Sequence, residues 1–160
     1  MKLTKRRQFL SMLGLGSISL GAGLSPKAAQ AHHTDTHFEN ESTHKLVYQC
    51  NKADHEYIEH LLFSCGEMLR KYGDDIELVI AAYGPGLNLL AKRPKRGISK
   101  EHQQRARSLA EYGVRLQACG NTMKSMRWEE KDIFDQAVIV PIGVDGIMLL
   151  QEKGFSYIAM

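Results

Sequence analysis

A cysteine closes the apolar run Val114-Arg115-Leu116-Gln117-Ala118, and Gly120-Asn121-Thr122 follows at once. The run predicts a strand and the residues after it a short helix. Cys119 therefore falls where backbone N–H groups and the positive end of a helix dipole converge. Such surroundings lower a thiol's pKa and favour the thiolate, the form that attacks sulfur, carbon or metal. Held by the N–H groups of Asn121 and Thr122, this thiolate could take up a sulfane sulfur as Cys–S–S⁻. An acceptor thiolate would then remove the outer sulfur by the exchange chemistry that breaks disulfides. A small buried core cysteine is the other reading of Cys119. The strand-end position favours chemistry, because ligands of open α/β sheets gather there. Transfer between thiolates needs no general base and no cofactor. Lys124 and Arg127 would either add positive potential or sit as solvated charges.

Two other cysteines, Cys50 and Cys65, make an odd total of three, so at least one stays free or pairs between chains. Cys65 belongs to the apolar stripe of a helix and reads as core. Cys50 ends the first strand. In the common doubly wound order the first and third strands are neighbours, which would place Cys50 beside Cys119. A disulfide is then open to the pair if register and face agree, and Cys50 would be a redox partner. Gly84-Pro85-Gly86 either lets backbone approach a ligand closely, with Tyr83 and Asn51 lining the pocket, or simply makes a turn. Gly120 and Gly143 stand at two further strand ends. The phosphate-binding fingerprint of dinucleotide enzymes and the P-loop spacing are absent, so a nucleotide enzyme is rejected.

The elements that must position these groups alternate. Leu46–Cys50 reads as a strand, and Asn51–Asp54 as its closing loop. An amphipathic helix follows with Tyr57, Leu61, Leu62, Cys65, Met68, Leu69 and Tyr72 at helical spacing, stopped by Gly73. Ile76–Tyr83 is a buried strand, Leu87–Leu90 a helical turn or two, and Ser99–Tyr112 a helix ending at Gly113. Val114–Cys119, Ala137–Pro141 and Ser156–Met160 are strands separated by helices at about Asn121–Met126 and Gly143–Lys153. Strands this apolar, alternating with helices, predict a single flavodoxin-like, doubly wound α/β domain with a parallel sheet of about five strands. The loops after the strands then meet along one edge and carry Cys50-Asn51, Tyr83–Gly86, Cys119–Thr122 and Gly143. Trp128, Ile133 and Phe134 would pack a loop or a subunit contact.

Residues 1–31 stand apart. Arg6-Arg7-Gln8-Phe9-Leu10, a glycine-diluted apolar run to Leu24 and Ala29-Gln30-Ala31 resemble a bacterial twin-arginine export signal cleaved after Ala31. The run is too short and weak to span a membrane, so export to the periplasm is expected with no stable span after cleavage. The segment holds five basic residues and no acid, which leaves 21 − 5 = 16 basic against 18 acidic residues, a net of −2. Nothing in that balance argues for nucleic acid, and Lys92–Arg96 reads as a solvated loop. Residues 32–44 read as a polar, His-rich tail. Its histidines could ligate a metal ion, but no spacing matches a closed site.

The segments Leu46–Asp54, Ala81–Leu90, Gly113–Met123 and Val138–Ile158 together resemble the DsrE/DsrF-like family of small sulfur-handling proteins, in its exported branch. Ala118–Thr122 and the Gly84-Pro85-Gly86 turn carry the likeness most specifically. The resemblance implies a parallel α/β sheet assembled as a homo-oligomer. It also implies a persulfide on Cys119, with partners that are sulfur donors and acceptors, either proteins or small sulfur compounds. The chain departs from the cytoplasmic carriers after the cysteine, where an alanine-rich, arginine-containing segment gives way to Gly120–Lys124. The reading is thus a periplasmic sulfur relay protein or sulfurtransferase. The alternatives are a non-catalytic module binding a small ligand or metal, and a thiol–disulfide protein using Cys50 with Cys119.

Overall fold

The computed structural model describes residues 42–160; the proposed leader and most of the His-rich segment lie outside the described residues. In chain order the elements are β1 (His44–Cys50), α1 (His55–Tyr72), β2 (Ile76–Ala82), a 3-10 segment (Gly84–Leu90), α2 (Lys100–Glu111), β3 (Arg115–Cys119), α3 (Gly120–Met126), β4 (Ala137–Val140), α4 (Gly143–Glu152) and β5 (Ser156–Ile158). Their local causes are visible. Asp54 caps α1 by accepting the Tyr57 N–H at 3.1 Å, and the helix buries Tyr57, Ile58, Leu61, Leu62 and Cys65 along one stripe. Gly73, at φ 56°, then turns the chain out of the helix. Ser99 caps α2 through the His102 N–H at 3.0 Å. β1 starts at His44, so the ordered chain reaches into the stretch expected to be tail.

All strand pairs are parallel, in the order β4-β3-β2-β1-β5. The fold is the expected single α/β domain, with helices on both faces of the sheet. One expectation fails. The first and third strands are not neighbours, because β2 runs between them. Parallel strands lie ~4.8 Å apart, so two steps exceed the ~7 Å that a disulfide bridges.

The two faces differ in depth. Leu46, Tyr48, Cys50, Leu78, Ile80, Ala82, Leu116 and Ala118 point into the large core under α1, α2, α3 and the 3-10 segment. Val47, Val79 and Ala81 point the other way, into a small core covered by Ile147 and Leu150 of α4 together with Phe155. β3 therefore leads into a helix on one face and β4 into a helix on the other. That reversal puts the topological switch point between the carboxyl ends of β3 and β4, the crevice where such sheets bind ligands. Among the described residues no helix is long and apolar enough to cross a membrane.

Candidate functional site

Cys119 sits in this crevice. It ends β3 and is the N-cap of α3, so its Sγ accepts the Thr122 N–H at 3.4 Å. A second donor arrives from the far side of the crevice, where the Gly143 N–H at the start of α4 points to the same sulfur at 3.2 Å. Two helices on opposite faces thus aim backbone N–H groups at one atom. The Gly84 N–H donates to Thr122 Oγ1 at 3.0 Å, which leaves the Thr122 hydroxyl hydrogen to turn toward the sulfur. Asn121, expected as a main holder of the thiolate, spends its N–H on the Pro141 carbonyl at 3.1 Å. The principal backbone donors are those of Thr122 and Gly143.

These contacts decide the ionisation. Partial burial is the largest single influence on Cys119 and pushes its pKa up. Hydrogen bonds from the Thr122 hydroxyl, the Thr122 N–H, the Gly143 N–H and, least, the Asn121 N–H together outweigh it, so the pKa falls below the ordinary thiol value. Cys50 and Cys65 meet the opposite fate. Both lie in the large apolar core, where burial pushes each thiol up to about 12. Cys119 belongs to neither apolar cluster, although only 5% of the residue is exposed. One thiol of three is built to ionise.

Cys50 and Cys119 are not brought together. Cys50 is level with Ala82, and Ala82 with Ala118, so Cys50 shares the face of Ala118 while Cys119 projects from the opposite one. Alternation along the strand and the intervening β2 both separate the sulfurs, and all three cysteines are free. The Cys50 thiol instead contacts the Gly86 carbonyl at 3.6 Å.

The remaining predicted residues divide into two groups. Gly120, Thr122, Gly143, Gly84 and Tyr83 gather around Cys119. Gly143 must be glycine, since a Cβ there would lie 2.9 Å from Tyr83 Cβ and 3.0 Å from Cys119 Cβ. Gly120 packs close to the Val140 and Pro141 carbonyls, 3.3 and 3.4 Å from an added Cβ. Gly86 and Asn51 belong to a different contact. A Cβ on Gly86 would lie 2.2 Å from the Cys50 carbonyl oxygen, so that glycine serves the packing of the turn on β1. The Asn51 N–H donates to Tyr57 Oη at 3.2 Å. Two residues escaped the sequence reading. Gln49 donates through Nε2 to Tyr83 Oη and accepts from Tyr157 Oη, making a polar row along the α4 face that ends at the thiol crevice. Alternation along β1 places Gln49 on that face, but only the strand order shows which side chains it meets.

Residues 44–160 match the model of the DsrE/DsrF-like family. The chain belongs to that family. Among solved structures, this DsrE/DsrF-like chain is similar to MTH1491 of Methanobacterium thermoautotrophicum, a protein of unknown function, with 21% identity, a TM-score of 0.66, and 73% of this chain and 99% of that chain covered. It is also similar to the ychN protein of E. coli, with 14% identity, a TM-score of 0.59 and the same coverages of 73% and 99%. At these identities the likeness concerns the fold alone. No curated protein matches.

Proposed function

We propose that this DsrE/DsrF-like protein works in the periplasm as a sulfur-binding or sulfur-relay protein, carrying sulfane sulfur as a persulfide on Cys119. The observation that carries the reading is the convergence of the Thr122 and Gly143 N–H groups on one sulfur, at 3.4 and 3.2 Å. They favour a thiolate, and a thiolate is the nucleophile the chemistry requires. With thiosulfate as donor, Cys119–S⁻ attacks the outer sulfur. A new S–S bond forms, the bond to the sulfonate sulfur breaks, and sulfite leaves with its electron pair. An acceptor thiolate then attacks the outer sulfur of Cys119–S–S⁻, forms its own persulfide and releases Cys119–S⁻. Both steps balance without a proton, an oxidant or a cofactor.

Export through the twin-arginine route, with cleavage after Ala31, is part of the same proposal and rests on the motif in residues 1–31. So is a homo-oligomer. Val144, Met148 and Leu149 leave about half of their surfaces exposed on α4 (59, 49 and 46%), and Val138 on the adjacent edge strand exposes 60%. A clustered apolar surface of this kind fits a second copy of the chain. The test of the sulfur chemistry is sulfite release. Reduced protein mixed with thiosulfate should liberate about one sulfite per chain, with none from Cys119→Ser. Equal release from both proteins would reject the reading.

A further inference from the structure

The basic loop Lys92-Arg93-Pro94-Lys95-Arg96 is solvated, as expected, but its backbone is held from beneath. Asn88 is fully buried, and its side chain ties this loop to the turn before it. Its Nδ2 donates to the Pro85 carbonyl at 2.8 Å, and its Oδ1 accepts the Lys95 and Arg96 N–H groups at 2.8 and 3.1 Å. A buried amide is retained at a cost unless it is satisfied, and here its partners fix the backbone of Arg96 against the Gly84-Pro85-Gly86 turn. The neighbouring cations are already engaged. Lys92 pairs with Asp135 at 2.6 Å, Arg93 with Asp132 at 3.9 Å, and Lys95 donates to the Met126 carbonyl. Among the described residues the Arg96 guanidinium forms no ion pair.

Arg96 instead lines an open cavity of about 470 Å³ shared with Lys52, Ala53, Asp54, Pro85 and Gly97. The Lys52 ammonium stands 5.0 Å over the Tyr57 ring, and that ring is held in place by the Tyr57 hydroxyl, which donates to the Gln49 carbonyl at 2.5 Å. Asp54 is the one carboxylate on the cavity wall, and its Oδ1 is turned to the helix, where it accepts the Tyr57 N–H at 3.1 Å. Two cationic residues from separate loops therefore line one hollow against a single carboxylate, that of Asp54, whose Oδ1 is held by the Tyr57 N–H.

We propose that this cavity is an anion site, taking a small doubly charged oxyanion of sulfate or thiosulfate size between Lys52 and Arg96. The site stands independently of the persulfide reading and shares with it only the Gly84-Pro85-Gly86 turn. Both cations are exposed, so binding is weak, saturating at about millimolar anion.

Sodium sulfate is the probe, because it cannot donate sulfane sulfur to the thiol. Amide chemical shifts of the full chain, followed by NMR during titration against sodium chloride of matched ionic strength, should saturate at Lys52, Ala53, Arg96 and Gly97. The Lys52→Gln/Arg96→Gln double variant, folded by circular dichroism, should bind at least about tenfold more weakly. Cys119→Ser should bind like the parent, which separates this site from the thiol. Shifts that stay linear with salt at every surface cation, or that saturate equally in the double variant, would overturn the proposal.

Discussion

Replacing Gly143 by alanine tests the thiol's environment from the side that the helix following the cysteine does not supply. The new Cβ would lie 2.9 Å from Tyr83 Cβ and 3.0 Å from Cys119 Cβ, atoms too close to the backbone to rotate away. Ordinary contact begins at 3.4 Å, so the start of α4 must retreat by at least 3.4 − 2.9 = 0.5 Å. Taken along the bond, that lengthens the Gly143 N to Sγ separation from 3.2 to about 3.7 Å. A hydrogen bond to a charged acceptor contributes about 1.5–3 kcal/mol, and one pKa unit corresponds to about 1.4 kcal/mol. Lengthening and misaligning the bond raises the Cys119 pKa, by up to about 1 unit if the bond is lost. At a pH below the midpoint the thiolate fraction, and with it the alkylation rate, drops accordingly, by up to about tenfold. The assay is the pH dependence of iodoacetamide modification at Cys119, read by mass spectrometry, beside a denaturation curve. Crowding itself costs about 1–3 kcal/mol of stability. If that unfolds the chain, Thr122→Val replaces it, removing the hydroxyl together with the acceptor of the Gly84 N–H and again moving the midpoint up. A folded Gly143→Ala protein with an unchanged midpoint would refute the assignment of the α4 N–H as a stabiliser of the thiolate.

Native alkylation should modify Cys119 with a midpoint below that of an ordinary thiol, while Cys50 and Cys65, pushed up to about 12 by burial, label only after unfolding. Thiol counts identical before and after a reductant would accompany this, and a count that rises would restore the disulfide reading. Gly86→Ala places a Cβ 2.2 Å from the Cys50 carbonyl oxygen, a clash with backbone, so stability should fall by about 3 kcal/mol or more in urea titration without any change in the Cys119 pKa once folded. Leu149→Glu puts a charge on the apolar face of α4, where Leu149 is 46% exposed. Light scattering should show a smaller assembly with the fold intact, and an unchanged mass would exclude α4 from the subunit contact.

Much of the architecture was legible because it is local. Short apolar runs marked every strand, the apolar spacing from Tyr57 to Tyr72 marked α1, and Ser99 marked the start of α2. Cys119 was legible too, since a strand end followed by Gly120-Asn121-Thr122 specifies an N-cap from neighbours in sequence. Strand order was not. A mostly apolar strand says little about which other strand it joins, and so the first and third strands were expected together although β2 separates them. The same gap hid the second donor. Gly143 was visible as a glycine opening a helix, but only the β3–β4 pairing, with Cys119 level with Val140, brings its N–H to the sulfur. Asn88 gave no signal either, because its partners at Lys95 and Arg96 lie in an irregular loop.

Intact-protein mass spectrometry after exposure of reduced protein to thiosulfate addresses the sulfur chemistry most directly. Persulfide carriage requires a gain of one sulfur atom, mapped to the Cys119 peptide, removed by a small thiol and missing from Cys119→Ser. An unchanged mass in folded protein whose Cys119 is shown to be ionised would contradict it, as would the same gain in the serine variant.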